Sequence, residues 1–414
     1  MSGKPVCLAL LVSTALIAGC AQPPHDEVGE ADAEEEVTMS RGQKLAQEML
    51  IVDTHIDVPY RFEKEEEDIS VRTEGGDFDY PRAHAGGLNV AFMSIYVPAS
   101  YQDAGGAKEF GDGLLDMVEG FASKWPDKFA VARSTADVER HKAEGLISMP
   151  LGMENGAPIE GDLDNLRHFA ERGIRYITLT HSKNNHICDS SYETEKKWGG
   201  LSPFGREVVS EMNRLGVMVD VSHVSDDAFY QVLEVTQVPV IASHSSCRHF
   251  TPGFERNMDD EMIQALAEND GALQINFGSA FLTEEANTKS KESWDAAGKF
   301  QEEQGLEDGD PKIHEFMMEY RKQNPMQLAD VGIVADHIDH VRGLVGIDHV
   351  GLGSDFDGVG PTLPDGLKDV SEFPNLIDTL LERGYTEEDI AKVMGGNLMR
   401  VWRAVEAAAE TSAG

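Results

Sequence analysis

Short apolar runs alternate with amphipathic stretches along the chain from about residue 41 onward. Eight of these runs have the length and composition of buried strands. They are Met49–His55, Asn89–Val97, Leu146–Glu154, Ile174–His181, Val217–His223, Val238–His244, Ala272–Phe277 and Val350–Asp355. Helical spacing of apolar residues follows most of them, as in Phe204–Leu215 and Met258–Glu268. Because alternating strands and helices give parallel strands joined by crossovers, the pattern predicts an α/β fold, a closed (β/α)8 TIM barrel, with a doubly wound open sheet as the alternative.

Two stretches fall outside this alternation. Thr283 to about Met326 is charged, helical in pattern and longer than an ordinary connection after a strand, so it predicts an inserted helical segment over the barrel mouth. From Ser371 the chain is helical in pattern, and Thr386-Glu387-Glu388-Asp389 has the spacing of a capping box. Gly395-Gly396 then predicts a break before a last helix from Asn397 to Glu406.

The first forty residues are predicted to precede the folded domain. Residues 1–20 combine Lys4 with an apolar stretch too short to span a bilayer, and Ile17-Ala18-Gly19-Cys20 resembles a bacterial lipobox. We therefore expect a lipoprotein signal with Cys20 as the lipidated residue; the alternative is an ordinary cleaved signal. No Asp follows Cys20. In this respect the segment resembles lipoprotein signals that direct sorting to the outer membrane, where the protein would face the periplasm or the cell surface. Residues 21–40 predict an acidic disordered tether, and residues 41–414 a single domain.

The composition narrows the function classes. The chain has 414 residues, and its 41% of hydrophobic residues is enough for a large core. Its formal net charge of −39 repels phosphate backbones and anionic lipid head groups, which argues against nucleic-acid binding and against a polybasic membrane contact. Once the signal is removed, Cys188 and Cys247 are the cysteines that remain in addition to Cys20. The sequence leaves open whether these two form a disulfide.

Side chains that can bind metals end six of the eight predicted strands. They are His55 with Asp57, Glu154, His181, His223, His244 and Asp355. Barrel enzymes place their chemistry at the C-terminal ends of the strands, where these six ends would meet. A single histidine after a strand is usually structural, but six groups at matching positions are hard to explain by packing. The pattern therefore predicts an active site at this end of the barrel.

The chemistry of this set suits a pair of metal ions. His55 and Asp57 are two residues apart and share one face of an extended strand, and His223 and His244 add two imidazole nitrogens. Glu154 can give one oxygen to each of two ions, which is the bridge that metals about 3.5–4 Å apart require. A hydroxide shared by the two ions would then be the nucleophile. The absence of close Cys pairs argues against a structural zinc site.

The ordered motifs of the chain resemble the membrane (renal) dipeptidase family. They are Asp53-Thr54-His55-Ile56-Asp57, Thr178-Leu179-Thr180-His181-Ser182, Asp220-Val221-Ser222-His223-Val224-Ser225, Ser243-His244-Ser245-Ser246, Arg256-Asn257, Gly353-Ser354-Asp355-Phe356-Asp357-Gly358, and Gly396-Asn397 with Arg400. The resemblance runs from about Met49 to Trp402. It implies a barrel of the metal-dependent hydrolase type, two Zn²⁺ per chain and a dipeptide substrate, with tolerance of C-terminal D-residues and homodimer formation.

The resemblance also assigns roles to the residues. One zinc takes His55 and Asp57, the other takes His223 and His244, and Glu154 bridges them. The catalytic and substrate-binding residues are His181 for the oxyanion, Asp355 for protons and the substrate amine, and Arg256 with Asn257 for the C-terminal carboxylate. Phe281 stands near the place where vertebrate members have a tyrosine, so side-chain preference or carboxylate recognition is expected to differ here.

Two rival functions fit part of the pattern. A deaminase or cyclic amidase of the amidohydrolase type would share the fold, but such enzymes usually begin with His-x-His and not with His55-Ile56-Asp57. A non-catalytic solute-binding lipoprotein would share the signal and tether, but it has no need of the metal-capable set. We expect Asp357 to support the loop after the eighth strand, while Asp53 shares the face of His55 and the sequence leaves open whether it supports the metal ligands. The remaining histidines are expected to be structural or exposed: His84, His186, His249, His314, His337, His340 and His349.

Overall fold

A computed structural model describes residues 39–307 and 310–412 of the chain. The predicted signal with Cys20, and the predicted tether up to residue 38, lie outside the described residues. The described part forms strands β1 (Ile51–Ile56), β2 (Leu88–Tyr96), β3 (Phe129–Ala130), β4 (Ile147–Ser148), β5 (Leu151–Glu154), β6 (Ile174–Thr178), β7 (Met218–Asp220), β8 (Ile241–Ser245), β9 (Ala272–Ile275) and β10 (Val350–Leu352). Its helices are α1 (Arg41–Glu48), α2 (Val58–Phe62), α3 (Tyr80–Gly86), α4 (Tyr101–Ala104), α5 (Ala107–Lys124), α6 (Thr135–Glu144), α7 (Leu163–Arg172), α8 (Pro203–Leu215), α9 (Asp226–Val235), α10 (Asp260–Glu268), α11 (Ser279–Leu282), α12 (Glu284–Gln304), α13 (Pro311–Gln323), α14 (Val331–Val345), α15 (Phe373–Glu382), α16 (Glu387–Ala391) and α17 (Asn397–Ser412).

Eight of the strands close into a barrel. All pairings are parallel, and the order β2-β5-β6-β7-β8-β9-β10 continues from β1, which pairs with β2. The ring closes between β1 and the residues after β10, where Ile56 bridges Phe356. The Asp355 amide donates to the His55 carbonyl at 3.1 Å, and the Asp57 amide donates to the Phe356 carbonyl at 2.9 Å. The predicted (β/α)8 barrel is therefore confirmed, and the open-sheet alternative is wrong.

The predicted strands are mostly too long at their C-terminal ends. β6 ends at Thr178, β7 at Asp220 and β10 at Leu352, so His181, His223 and Asp355 lie in the following loops. The predicted third strand is also broken at Pro150, between β4 and β5, with β3 pairing beside β4. Apolar runs do not end where the backbone turns, because the turn after a barrel strand is itself buried.

The helices begin and end at the residues that the sequence pattern favours. Ser202 caps α8 by accepting from the Gly205 amide, and Gly216 ends the helix with φ of 73°, a left-handed conformation that glycine adopts without strain. The predicted capping box at Thr386 is confirmed at the start of α16. The predicted insertion forms α12 and α13, whose Phe300 and Phe316 rings stack at 4.4 Å.

The C-terminal helix packs against the early residues of the barrel strands. Trp402 of α17 is fully buried, and its ring lies 5.4 Å from that of Phe92 in β2. The helical backbone is interrupted between α16 and α17 at Gly395, where the Cβ of any other residue would lie 2.9 Å from the Leu50 carbonyl oxygen. This apolar base leaves the opposite, C-terminal ends of the strands for polar side chains.

Two further points concern cysteines and membranes. Cys188 and Cys247 are buried free thiols, so they are not paired in the structure. Among the described residues, no helix has both the length and the apolar character needed to cross a bilayer.

Candidate active site

The predicted site residues converge at the C-terminal end of the barrel. Three come from strands and four from the segments that follow strands. The strand residues are His55 in β1, Glu154 at the end of β5 and His244 in β8, and the others are Asp57, His181, His223 and Asp355. All are buried except His181, which is partly exposed. The structure therefore brings together all seven of the metal-capable side chains that the sequence singled out.

Glu154 lies at the centre of the cluster and faces two groups of ligands. Its Oε1 atom is 3.1 Å from His223 Nε2 and 3.2 Å from His244 Nε2, while its Oε2 atom is 3.4 Å from His55 Nε2. Asp57 Oδ2 lies 3.5 Å from the same nitrogen of His55, and the Nε2 atoms of His223 and His244 are 2.9 Å apart. Because each carboxylate oxygen faces a different set of donors, Glu154 is placed to serve two ions.

The imidazole of His55 is oriented by a tyrosine that the sequence analysis missed. Tyr176 of β6 is fully buried, and its hydroxyl donates to the Thr54 carbonyl at 3.0 Å. That hydroxyl therefore accepts from His55 Nδ1, at 2.9 Å. With the proton on Nδ1, the lone pair of Nε2 points toward Glu154 and Asp57, which is the tautomer that a metal ligand requires.

A second network orients His244 in the same way. Its Nδ1 atom lies 2.7 Å from the Ser243 hydroxyl, and that hydroxyl donates to Asp220 Oδ2 at 2.6 Å. Ser243 Oγ is thus left to accept from His244 Nδ1, so Nε2 again carries the lone pair. Asp220 is held in turn by the amides of Ser222 and Ser243, at 3.0 and 2.8 Å.

The backbone at the site is unusual at two functional residues. His223 and Asp355 have φ values of 71° and 64°, in the left-handed region that costs a residue with a side chain about 1–3 kcal/mol. Hydrogen bonds hold both conformations, since the Ser191 amide donates to the His223 carbonyl and the Asp355 amide to the His55 carbonyl. The turn aims both side chains back over the end of the barrel.

The charge states suit cation binding. Burial holds the pKa values of His223 and His244 well below the ordinary value, helped next by the Arg256 charge at His223 and by His55 at His244, so both rings are neutral at pH 7. Burial opposes the ionisation of Glu154, but His55 and His181 outweigh it and hold its pKa well below the usual range. Burial also disfavours charge on His55, yet Tyr176, Glu154 and Asp57 raise its pKa, and acidic neighbours that favour a proton at Nε2 also favour a metal cation there.

The residues fit a metal centre. His55 Nε2 and Asp57 Oδ1 are buried and make no hydrogen bond within the described part of the chain. Buried polar atoms are rarely left without a partner. A set of three imidazoles and two carboxylates is one that zinc prefers, and the ligand atoms fall into overlapping groups centred on Glu154 and on His55.

Asp355 lies on the other side of His55 and is held by a residue that the sequence analysis missed. Asn276 donates to its Oδ2 atom at 2.7 Å. Burial raises the pKa of Asp355 to about 7, and the charges of Asp57 and Glu154 act in the same direction. A carboxyl with this pKa can both accept and release a proton near neutral pH.

Arg256 lies in the loop after β8 and is 3% exposed. Its guanidinium donates to Ser245 Oγ at 2.5 Å and to the His244 carbonyl at 2.8 Å, while its Nε makes no hydrogen bond to the described residues. The adjacent Asn257 uses its amide group within the loop, donating to Thr251 Oγ1 and to the Phe281 carbonyl at 2.8 Å each. Asn257 therefore holds the loop in shape, and its direct contact with substrate stays a prediction.

Aromatic rings surround the cluster, and most of them were not singled out from the sequence. Tyr96 packs edge-on against His181 at 4.8 Å, and Tyr192, which is 45% exposed, lies 5.9 Å from His223. The Phe281 ring lies 5.4 Å from the Arg256 guanidinium carbon and 5.7 Å from the Phe254 ring. Tyr96 pairs directly with Glu154 in the register of β2 and β5, and that pairing is the signal that would have found it.

Two further aspartates, Asp53 and Asp357, hold the segments that carry the site. Asp53 Oδ1 accepts from the amides of His55 and Ser354, at 3.1 and 3.0 Å, and so ties β1 to the loop after β10. Asp357 lies in that same loop, and its carboxylate accepts a hydrogen bond from Arg61 at 2.8 Å. The seven histidines expected to be structural or exposed all lie outside the cluster around Glu154: His84, His186, His249, His314, His337, His340 and His349.

A closed (β/α)8 barrel with imidazoles and carboxylates gathered around one central glutamate is the arrangement of a metal-dependent hydrolase. The chain belongs to the membrane dipeptidase family (peptidase family M19), whose model matches residues 39–414. As a member of this metal-dependent family, the chain is a metallo-dipeptidase, which is the class that its motifs predicted.

Similar proteins agree with this class. The chain is 36% identical over 345 residues to dipeptidase aclJ of Aspergillus oryzae, covering 82% of this chain and 72% of that protein. It is 31% identical over 379 residues to dipeptidase 3 of Mus musculus, covering 89% and 67%. The crystal structure of the probable dipeptidase PvdM from Pseudomonas aeruginosa superposes with a TM-score of 0.76 at 29% identity, covering 89% and 98%.

Proposed function

We propose that the chain hydrolyses free dipeptides with two Zn²⁺ ions held by His55, Asp57, Glu154, His223 and His244. The observation that carries the proposal is the position of Glu154, whose two carboxylate oxygens face His55 on one side and His223 with His244 on the other. Two Zn²⁺ ions here would polarise the scissile carbonyl and lower the pKa of a water shared between them. The protein supplies the positioning, the proton transfers and the recognition of both substrate ends.

Proton transfer belongs to Asp355. Its pKa of about 7 lets it take a proton from the attacking water and return that proton to the leaving amine, so the two steps balance. Asn276 fixes the carboxyl through Oδ2, which leaves Oδ1 to face the reacting groups. When a dipeptide is bound, the Asp355 carboxyl also holds its free amino end.

Oxyanion stabilisation belongs to His181. Burial lowers its pKa, with Arg256 acting in the same direction, so the ring is neutral near pH 7. Its Nε2 atom lies 3.5 Å from Glu154 Oε1, beside the place where a substrate carbonyl would lie. A neutral imidazole N–H donates to the developing oxyanion of the tetrahedral intermediate.

Recognition of the C-terminal carboxylate belongs to Arg256. The guanidinium is buried and fixed by two hydrogen bonds, and Phe281 lies across its face. Because the contact is made to the carboxylate and not to the side chain, it accommodates either configuration at the C-terminal residue. We therefore extend the proposal to dipeptides that end in a D-residue.

The rival functions fit this geometry less well. The reactions of a deaminase or a cyclic amidase do not require a free C-terminal carboxylate on the substrate, which the buried Arg256 is placed to bind. A solute-binding protein has no use for a carboxyl placed to shuttle a proton. We also propose that the protein is exported and anchored by lipid on Cys20, in the outer membrane, because the residues after Cys20 resemble those of outer-membrane lipoproteins. Homodimer formation stays a prediction.

The experiment that tests the proposal compares Glu154→Gln with the wild type on free dipeptides. Glutamine keeps the size of the side chain but cannot bridge two cations with a shared negative charge. We expect the variant to lose at least a thousandfold in kcat/KM and to retain less than two zinc ions per chain by elemental analysis. The exposed His84→Ala is the matched control and should keep both. Wild-type activity that survives complete metal removal by a chelator would contradict the proposal.

A further inference from the structure

A second group of metal-capable side chains lies in the helical layer, apart from the cluster around Glu154. It consists of His249, in the 3-10 turn after β8, Asp260, the first residue of α10, and His340 of α14. Each offers a ligand atom, and the three atoms lie within 4.8 Å of one another. His249 is exposed, while Asp260 and His340 are partly exposed. The group is thus open to ions from solvent.

The contacts within this group are those of an incomplete coordination shell. His340 Nε2 lies 2.7 Å from Asp260 Oδ1, and the rings of His249 and His340 stack at 4.4 Å with an interplanar angle of 22°. Each of the two stacked imidazoles offers a ring nitrogen within 4.8 Å of a carboxylate oxygen of Asp260. The carboxylate stands beside them as a third, anionic donor.

We propose that His249, Asp260 and His340 bind a third divalent transition-metal ion of the Zn²⁺ type, separate from the active-site pair. Two imidazoles and one carboxylate make a common zinc ligand set, with the fourth position left to water. Donors around a tetrahedral zinc lie about 3.4 Å apart, so shifts of roughly 1 Å would complete the shell. The exposed His249 side chain can make that movement.

The local charge supports a cation at this position. Asp259, Asp260 and Glu261 crowd the first turn of α10. Arg248, in the same turn as His249, is directed elsewhere, to Asp226 Oδ1 at 2.6 Å and to Asp259 Oδ2 at 3.3 Å. An ion beside Asp260 therefore meets carboxylate charge that the neighbouring arginine does not fully neutralise.

The neighbouring buried histidine is not part of the proposed site. His337 uses both ring nitrogens, accepting from the Cys247 amide at 3.1 Å and donating to the Leu282 carbonyl at 3.0 Å. The site would instead connect three elements through the surface: the turn that leaves β8, α10 and α14. That turn begins four residues after His244, so bound metal would stabilise the segment leading to Arg256 without touching substrate.

The experiment titrates Zn²⁺ into the full-chain holoenzyme, with binding followed by calorimetry and metal counted after desalting. We expect the wild type and His314→Ala, which removes an exposed histidine elsewhere, to bind one further equivalent and to gain thermal stability. In His249→Ala and His340→Ala, the affinity for this equivalent should fall at least tenfold and the gain in Tm should disappear. The resident metal content and the dipeptide kcat/KM of both variants should equal those of the wild type.

Two results would overturn the proposal. One is the absence of any further equivalent in the wild type, which would leave His340 and Asp260 as a simple ion pair. The other is a further equivalent that both variants retain. Should His340→Ala fail to fold, the exposed His249→Ala decides alone. The inference does not rest on the proposed dipeptidase function, because its readout is metal binding and turnover is only a control.

Discussion

At the scale of the residue, the site depends on which nitrogen each imidazole presents. Tyr176 fixes the proton on Nδ1 of His55, and Ser243 with Asp220 does the same for His244. Neither orienting group touches the space where substrate would bind. Both therefore act on affinity for metal, and through it on turnover.

Tyr176→Phe isolates this effect. The substitution keeps the buried ring against Phe92 and removes only the hydroxyl that accepts from His55 Nδ1. We expect metal affinity to fall about 10–100-fold, since loss of such an orienting partner typically has this cost. The measurement is competitive zinc titration against a chromophoric chelator.

Excess zinc separates this role from a catalytic one. At saturating Zn²⁺, kcat of Tyr176→Phe should return close to the wild-type value. A kcat that stays low when both metal positions are filled would mean that the hydroxyl does more than orient His55.

Arg256→Ala tests how the substrate is recognised. A charge-assisted hydrogen bond contributes roughly 1.5–3 kcal/mol, or about ten- to a hundredfold in binding. We expect kcat/KM for a free dipeptide to fall by this factor, and kcat/KM for the same dipeptide with an amidated C-terminus, already a poor substrate, to change little. Arg256→Lys should rescue only in part, because an ammonium group lacks the planar fork.

The matched acid and amide pair is the control for this experiment. Arg256 also holds the His244 carbonyl, so a purely structural role would lower both rates equally. Equal losses on both substrates would therefore show that Arg256 supports the loop and does not bind the carboxylate.

The clustering of the metal-capable side chains could be predicted from the sequence, but the hydrogen bonds that orient them could not. His55, Glu154 and His244 end runs that are recognisably strands, so their convergence follows from the topology of a barrel. Tyr176 lies inside such a run, where a buried tyrosine looks like core, and its partner is 121 positions away along the chain. Hydrogen bonds of this kind join β1 and β6, which are not neighbours in the sheet, and no local pattern contains such a contact.

At the scale of the element, the main error concerned where strands end. His223 and Asp355 were assigned to strands, whereas both lie in loops with left-handed backbone. Hydrophobicity continues through these turns because the loop is buried under the neighbouring segments. The helices were predicted more closely, since caps such as Ser202 and Thr386 mark their starts in the sequence itself.

A buried histidine between elements gives a prediction for pH. Burial lowers the pKa of His337 to about 4, and its neutral ring accepts from the Cys247 amide and donates to the Leu282 carbonyl. An unfolded histidine has a pKa near 6.5, so the unfolded chain binds more protons between about pH 6.5 and 4. The contribution of His337 is therefore fully present above pH 6.5 and is lost as the pH falls through this window.

The measurement is the free energy of unfolding in denaturant at pH 7.5 and 4.5, in metal-free protein. We expect the wild type to lose about 2 kcal/mol more between these values than His337→Gln, whose amide does not titrate. His314→Gln, an exposed control, should follow the wild type. Parallel losses in all three proteins would show that His337 does not titrate between the folded and unfolded states in this range.

At the scale of the whole molecule, the barrel explains why distant motifs form one site. β1 and the segment after β10 are joined through Ile56 and Phe356, so residues some 300 positions apart become neighbours. α17 fills the opposite end with Trp402, which leaves the C-terminal ends of the strands to the polar side chains of the site. Alternation of strands and helices was sufficient to predict this architecture, because right-handed crossovers leave few other arrangements for eight such units.

Placement of the enzyme in the cell gives the last prediction. Ile17-Ala18-Gly19-Cys20, which lies outside the described residues, resembles a lipidation signal. Acyl chains supply about 0.8 kcal/mol per buried CH₂ group, whereas a chain with a net charge of −39 is repelled by anionic head groups. Cys20→Ser should therefore move the protein from the membrane fraction to the soluble fraction while kcat/KM on dipeptides stays unchanged.

Cys7→Ser is the matched control, because it changes the same atoms within the segment that is predicted to be removed, and it should remain with the membrane. Both proteins are compared after a high-salt wash, which releases material held only by charge. Retention of Cys20→Ser in the washed membranes would mean that the anchor lies elsewhere in the chain.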